Sequence, residues 1–206
     1  SLVLDLADGL DVVSERTVES VAPFRVDGEE AGEVVLALPS PQAARLTPDA
    51  PGAPQDWEPV LAVALRFDER RWPHDLHGVF VNADPDVGFI ADDGDRRGDD
   101  APVLVVHTTS DLARRNLEHP DAAVPAVIAA TRRLLGIDAD PVATLVHRWT
   151  FARPTEALGQ PFARTPGLSV CGDAWGRSSS VRTAWASGHA LGRALAASST
   201  ADGSRA

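Results

Sequence analysis

The 206-residue chain contains no methionine, no tyrosine and a single cysteine, Cys171. It also lacks lysine: all 19 of its Lys-plus-Arg positions are arginine. Within these residues that excludes Schiff-base catalysis, a phosphate-loop ammonium and a lysine general base. One cysteine excludes an internal disulfide and fits a reducing, cytoplasmic setting. No apolar run reaches the roughly 20 residues that a membrane helix needs, and no signal-peptide pattern opens the chain. Thirty acidic residues give a formal net charge of −11, which speaks against nucleic acid or an anionic membrane as partner. Without Met at position 1, the abrupt opening "SLVLDLADGL" reads as that of a fragment or a processed chain.

What is present is an ordinary globular composition, 44% hydrophobic and 24% charged, long enough for a real core. "LVLDLADGL" reads as a short amphipathic helix stopped by Gly9. "DVVSERTVESVA" alternates as a strand does, continued across a turn by "FRV". Val34 to Leu38 is a continuous apolar run suited to a strand buried on both faces, and Pro39 and Pro41 then launch a helix over Gln42 to Leu46. "TPDAPGAPQDWEP" is a proline-rich connector. After it, "PVLAVALRF", "GVFVN", "VGFIA" and "APVLVVH" are strand-like runs, with "NADPD" a hairpin loop and "DDGDRRGDD" an exposed, solvated loop. Two helices follow: "SDLARRNLEH", capped by Ser110, and "DAAVPAVIAATRRLLG", capped by Asp121 and stopped by Gly136. "PVATLVHRWTFARP" is a long strand, and "GLSVCGDA" a short one leading into a terminal helix.

The pattern predicts a mixed α/β (α+β) fold: part of a Rossmann-like layer, with an antiparallel sheet and helices inserted into it. The domain boundaries are 1–46 for the first part of the layer, 47–155 for the insert, 156–197 for the closing strand and helix, and 198–206 for a disordered tail. The outer pieces hold too few strands to close such a layer, so the chain reads as a second half.

In "GLSVCGDAWGRSSSVRTAWASGHALGRAL", Gly172 permits close backbone approach and Asp173 stands where the chain leaves the sheet. Carboxyl ends of strands are where open α/β sheets bind ligands, and a helix beginning near Ser180 or Val181 would add its positive dipole end. Ala184, Gly188 and Gly192 recur every four residues and form a smooth face. A capped turn accounts for the same spacing, because Gly-Asp pairs are common in turns.

This closing run resembles the flavin motif of FAD-dependent amine oxidase-type flavoproteins, and among them renalase-like NAD(P)/FAD-dependent oxidoreductases. "LADGLDV", "VVLALPSPQAARL", "VGFIADDGDRRG" with "VLVVHTTSDLARRNLE", and "HRWTFARP" resemble that family in the same order, so the likeness covers nearly all of residues 5 to 197. It implies FAD as cofactor, with Gly172 and Asp173 at its ribityl-pyrophosphate. Ser180, Val181 and Arg182 would lie at the helix start, the last two offering backbone N–H groups to the pyrimidine edge of the ring. Val18, in the strand after "LADGL", would meet the adenine with its backbone. His147, Trp149, Phe151 and Arg153 would share the strand face that lines the substrate side, with Arg148 and Thr150 turned away. The implied activity is hydride transfer from a reduced nicotinamide-type or amine substrate to flavin and then to dioxygen. The absence of lysine favours the nicotinamide-type substrate, since amine-oxidising relatives often use a lysine-held water.

The family's G-x-G-x-x-G fingerprint is not found in this sequence, and "ADDGDRRGDD" is more acidic than the corresponding family loop. A second reading is therefore a noncatalytic fragment or assembly subunit that needs an N-terminal FAD-binding partner and self-associates through an exposed sheet edge. A third is a nucleotide-binding module without redox work. The remaining candidates are structural: His74 with His77, which lack a third metal-like ligand, Cys171 in an apolar strand end, and His107 and His119 flanking a helix. "GRSSSV" is not a hydrolase elbow, because Val181 follows Ser180.

Overall fold

The computed structural model describes residues 2–52 and 56–203. By contact density the chain falls into two units, Ser1–Pro54 with Ala157–Ala206, and Gln55–Glu156. The fold is mixed α/β, with antiparallel sheets in both units and one parallel strand pair.

Helix α1 (Leu2–Ala7) ends before Gly9, whose φ of +77° supplies the expected stop. The strand predicted over 11–22 does not form. Only Val21–Ala22 (β1) pairs, in a small antiparallel meander with Arg25–Val26 (β2) and Glu29–Glu30 (β3). Upstream, the Asp27 carboxylate accepts the Glu19 and Ser20 backbone N–H groups, so a side chain takes the donors a ladder would have used.

Strand β4 (Val34–Leu36) is shorter than the predicted run to Leu38, and only Val34 and Leu36 are buried. Val35 is 43% exposed, so only the face that carries Val34 and Leu36 is covered, not both faces as expected. Helix α2 (Ser40–Leu46) starts two residues earlier than predicted, with Pro41 in its first turn, where a missing N–H costs nothing. The segment after it stays with the first unit. The Thr47 N–H reaches back to the Ala43 carbonyl, and Gly52 lies against the Trp175 ring, where a Cβ would come within 2.6 Å.

The second unit is built on β5 (Trp57–Arg66), β6 (Gly78–Phe80), β7 (Val87–Asp92), β8 (Val103–Thr108) and β9 (Ala143–Pro154), in the order β6-β7-β8-β5-β9. Every pairing is antiparallel. One face carries Leu61, Val63, Leu65, Ile90, Leu104 and Val106, all fully buried. They form one core with Leu112, Ala113, Val127 and Ala130 from the helices.

"DDGDRRGDD" is exposed over residues 96–100, as expected, but it is not wholly a loop. Asp93–Arg97 forms a short helix, α3, capped by the Asp92 carboxylate on the Asp95 N–H and closed by Gly98 at φ +74°. Acids in its first turn and arginines in its last suit the helix dipole, and in the sequence they resemble a plain charge run.

Helix α4 (Ser110–Arg115) is capped by Thr109 and not by Ser110; the Thr109 Oγ accepts the Leu112 N–H at 3.3 Å. Ser110 is diverted to donate to Glu58 at 3.1 Å. Thr109→Ala is therefore expected to lower stability by about 1 kcal/mol and Ser110→Ala by less, read by urea denaturation. Equal losses would remove the assignment. Asp121 does not cap α5 (Val124–Leu135). It sits in a 3-10 turn, Pro120–Ala123, that runs directly into that helix, and Gly136 at φ +67° ends it as predicted.

The chain then returns to the first unit. There β10 (Ala163–Thr165) pairs antiparallel with β11 (Leu168–Val170), and β11 pairs parallel with β4. Helix α6 (Val181–Gly203) runs past the predicted tail boundary at 198; residues 204–206 lie outside the described residues. Among the described residues, no helix is long and apolar enough to cross a membrane.

Candidate functional site

In the first unit, β11 delivers the chain to Gly172, whose φ of +146° lies where side-chain-bearing residues rarely go. A Cβ there would meet nothing within 4 Å, so the strand end is open as well as glycine-dependent. Its N–H is held at 3.0 Å by the buried Ser187 hydroxyl, which donates to the Pro161 carbonyl at 2.5 Å. Asp173 accepts the Ser179 hydroxyl at 2.6 Å. Burial pushes the Cys171 thiol up, which keeps it protonated and unreactive.

Ser180 caps α6, its Oγ accepting the Thr183 N–H at 3.1 Å. The Val181 and Arg182 N–H groups have no hydrogen-bond partner among the described residues, and both residues are exposed. The helix start thus offers two free donors at its positive dipole end. The smooth face behaves otherwise than expected: a Cβ at Gly188 or Gly192 would meet nothing within 4 Å, so neither glycine serves close packing. Trp185 stacks on His189 instead, with centroids 5.1 Å apart and rings 9° from parallel. Val18 is half-buried in the unpaired extended segment, not in a strand as expected.

In the second unit, the sheet face opposite the core is lined by rings. Cross-strand register aligns Phe80, Phe89, His107, Ala62 and His147 in one row over all five strands. Phe80 and Phe89 centroids stand 4.9 Å apart, Phe89 and His107 5.6 Å, and His147 and Trp149 4.4 Å. Trp149 pairs with Val60 on the same face, while Arg148 lies on the helix side and donates to the Leu117 carbonyl at 2.7 Å.

The register of β9 against β5 then slips: Glu58 opposes Arg153, so three residues, Thr150–Ala152, face Pro59 alone. Phe151 falls in this irregularity, and strict alternation does not assign its face. Arg153 reaches Glu58 at 3.4 Å and the Ser110 hydroxyl at 3.4 Å, and Arg114 approaches the same carboxylate at 3.8 Å. Burial first, and then the charge of Arg153, hold the His107 imidazole below its ordinary range, so it is neutral near neutral pH.

His107 was expected to be structural, and Ala62, Phe80 and Phe89 carried no expectation. The signal was present: Val103, Val105 and His107 share one parity in "PVLVVH", opposite to buried Leu104 and Val106. Elsewhere His77 bonds Asp95 at 2.7 Å, which raises its pKa. Among the described residues no group of three metal-ligating side chains is assembled.

A crystal structure of a protoporphyrinogen oxidase-like protein from Exiguobacterium sp. 255-15 is similar to this chain with a TM-score of 0.60 at 20% identity. The match covers 83% of this chain and 43% of that one, and it shows the fold. The model of the family described as "Flavin containing amine oxidoreductase" matches residues 2–194. The chain therefore belongs to the flavin containing amine oxidoreductase family, which implies FAD as its cofactor.

Proposed function

We propose that this chain forms part of a renalase-like FAD-dependent oxidoreductase. Its substrate would be a reduced nicotinamide-type compound, or an amine as the less favoured choice, with dioxygen as the final acceptor. The observation that carries this reading is the start of α6, where the free Val181 and Arg182 N–H groups come nine and ten positions after the open strand end at Gly172. Two unpaired amides at a helix N-terminus suit an electron-rich ring edge, because they stabilise negative charge without a lysine.

The residues present fit the cofactor. Gly172 leaves room for a ligand to approach the backbone. Asp173, as a hydrogen-bond acceptor, suits sugar-alcohol hydroxyls better than phosphates. Ser180 holds the helix start in place, and the backbone at Val18 would serve the adenine. Bound there, FAD supplies the two-electron acceptor that no side chain of this chain offers. On the other unit, His147 and Trp149 of the open face, with Phe151 and Arg153 at the register slip beside them, would orient a flat substrate and exclude water.

A second reading is an assembly half whose flavin site needs another polypeptide segment, and which associates with itself through exposed apolar surface. It is favoured by Val3, Leu6, Leu10, Val12 and Val13, all more than half exposed. FAD titrated into the purified chain is expected to remain bound through gel filtration. Gly172→Val should lose it, because valine strains at this φ. Retention only when an N-terminal polypeptide is added would establish the second reading. Loss of flavin in both settings would overturn the proposal.

A further inference from the structure

The sheet of the second unit has two edges, and they are not alike. Strand β6 covers three residues, Gly78–Phe80, short enough to blunt its edge. Strand β9 runs over twelve, Ala143–Pro154, and its far side pairs with no strand among the described residues.

Which of its backbone groups are free follows from β5. The Leu61 N–H donates to the Thr108 Oγ at 3.0 Å and the Phe67 N–H to the Pro102 carbonyl at 2.9 Å, both on the β8 side. Odd residues of β5 therefore turn their ladder groups to β8, and Val60, Ala62 and Ala64 turn theirs to β9. The register partners Trp149, His147 and Leu145 answer them. That leaves Thr144, Val146 and Arg148 with N–H and C=O groups aimed outward from the sheet. The regular run is bounded at one end by Val142, whose N–H is turned to the Arg66 carbonyl at 2.7 Å, and at the other by the slip at 150–152. What lies between, residues 143–149, is centred on Val146.

We propose that this edge pairs with the same edge of a second copy of the chain, antiparallel, with Val146 opposite Val146 on the two-fold axis. Thr144 of each copy then exchanges hydrogen bonds with Arg148 of the other, and Val146 with its counterpart, so every outward group in the run is satisfied. On the ring-lined face Leu145, 70% exposed, falls beside His147 of the second copy, and the small Ala143 beside the large Trp149. Any shift toward the amino end brings Val142, whose N–H is already taken, into the ladder. Any shift toward the carboxyl end runs it into the slip.

Charge agrees with this occupant. Thirty acidic residues set the net charge of −11, yet β9 contains none of them, so the repulsion between copies is not focused on the seam. The charge that would guard the edge, Arg148, is drawn to the helix side by the Leu117 carbonyl at 2.7 Å. Only the short β6 edges remain outside, so growth stops at two copies with closed two-fold symmetry. A seam of this length buries little surface, and the dimer is a weak one that forms at high concentration. The pairing goes beyond the flavin reading and does not depend on it.

The test is sedimentation and amide-exchange NMR of the full 206-residue chain, without FAD, over rising concentration. A monomer–dimer equilibrium is expected, in which the Thr144, Val146 and Arg148 amides gain protection while those of Leu145 and His147 are protected throughout. Thr144→Pro removes an outward N–H and leaves the β5 ladder untouched, so it should weaken dimerisation by about tenfold or more. Leu145→Cys mixed with His147→Cys, both in a Cys171→Ser background, should give disulfide-linked dimers on mild oxidation, and either alone should not. Such non-hydrogen-bonded partners stand about 4.5 Å apart at Cα, within disulfide reach. The cysteine pair decides the matter if Thr144→Pro fails to fold. A chain that stays monomeric overturns the proposal. So does a dimer that survives Thr144→Pro and leaves the cysteine pair unlinked, the result expected of association through α1. Protection of the run only when an N-terminal polypeptide is added gives the edge to that polypeptide and overturns it too. FAD retained by a monomer sinks the edge pairing alone, whereas a Val146-centred dimer that never holds FAD sinks the flavin reading alone.

Discussion

Asp92→Ala is expected to destabilise the second unit by about 3–5 kcal/mol, the cost of leaving the partner of a buried ion pair uncompensated. Asp92 is 0% exposed and does three things at once. It accepts the Trp72 Nε1–H at 2.7 Å, caps α3 through the Asp95 N–H at 3.1 Å, and pairs with Arg70. The Arg70 side chain is only 11% exposed and lies over the Trp72 ring, 5.5 Å from its centroid. Its other carboxylate neighbour, Asp100 at 3.6 Å, is 90% exposed and cannot replace Asp92.

Burial pushes the Asp92 carboxyl up, but Trp72, the Asp95 N–H and Arg70 outweigh it and hold it below the ordinary carboxylate range. A carboxyl whose folded value lies below its unfolded one stabilises the fold above the unfolded value. That stability is lost as pH falls through the folded value. Urea denaturation across acid pH should thus show a steeper loss for the native chain than for Asp92→Asn, which keeps an acceptor and removes the charge. A cost under about 1 kcal/mol for Asp92→Ala would show that the network is not integral to the unit.

Gly167→Ala is expected to cost about 2–4 kcal/mol, although only one methyl is added. Gly167 has φ +77°, and a Cβ on it would lie 2.4 to 2.6 Å from three ring atoms of Phe24. One of these is the Cγ, so the ring cannot escape by moving its tip. The backbone is pinned as well, because the Gly167 carbonyl accepts N–H groups from both Phe24 and Val34. Part of the cost is left-handed strain and part is overpacking, and a double-mutant cycle separates them. In a Phe24→Ala background the same substitution should cost only the strain, about 1–2 kcal/mol. Strict additivity would show that the ring is not the obstacle.

The second unit was largely legible, because its strands alternate against a helical layer and parity alone sorts Leu61, Val63 and Leu65 from Ala62 and Ala64. Gly9 and Gly136 stop their helices where the sequence places them, since αL geometry is a local property. Failures came where a side chain took over backbone donors in a way the local pattern does not show. Asp27 captured the donors of 19 and 20, Thr109 took the cap from Ser110, and buried Asp92 turned a charge run into a helix. The site was legible at its strand end and helix start. The ring-lined face was read on β9 alone, because a single strand does not reveal which residues its neighbours set beside it. His107 and Ala62 enter only through pairing, and the slip beside Pro59 removes Phe151 from simple alternation.

The Ser187 hydroxyl, which joins the Gly172 N–H to the Pro161 carbonyl, turns a stretch of chain into a measured length. The hydroxyl lies fifteen positions along the chain from the glycine, and most of the later ones are helical. A helix advances about 100° per residue, so inserting or deleting one residue between Val181 and Ser187 would swing the hydroxyl to another side of α6. Substitutions along that stretch change composition only, whereas a change in count uncouples the strand end from the helix. Among sequences of this kind, alignment gaps belong before Val181 or after Ser187, not between them.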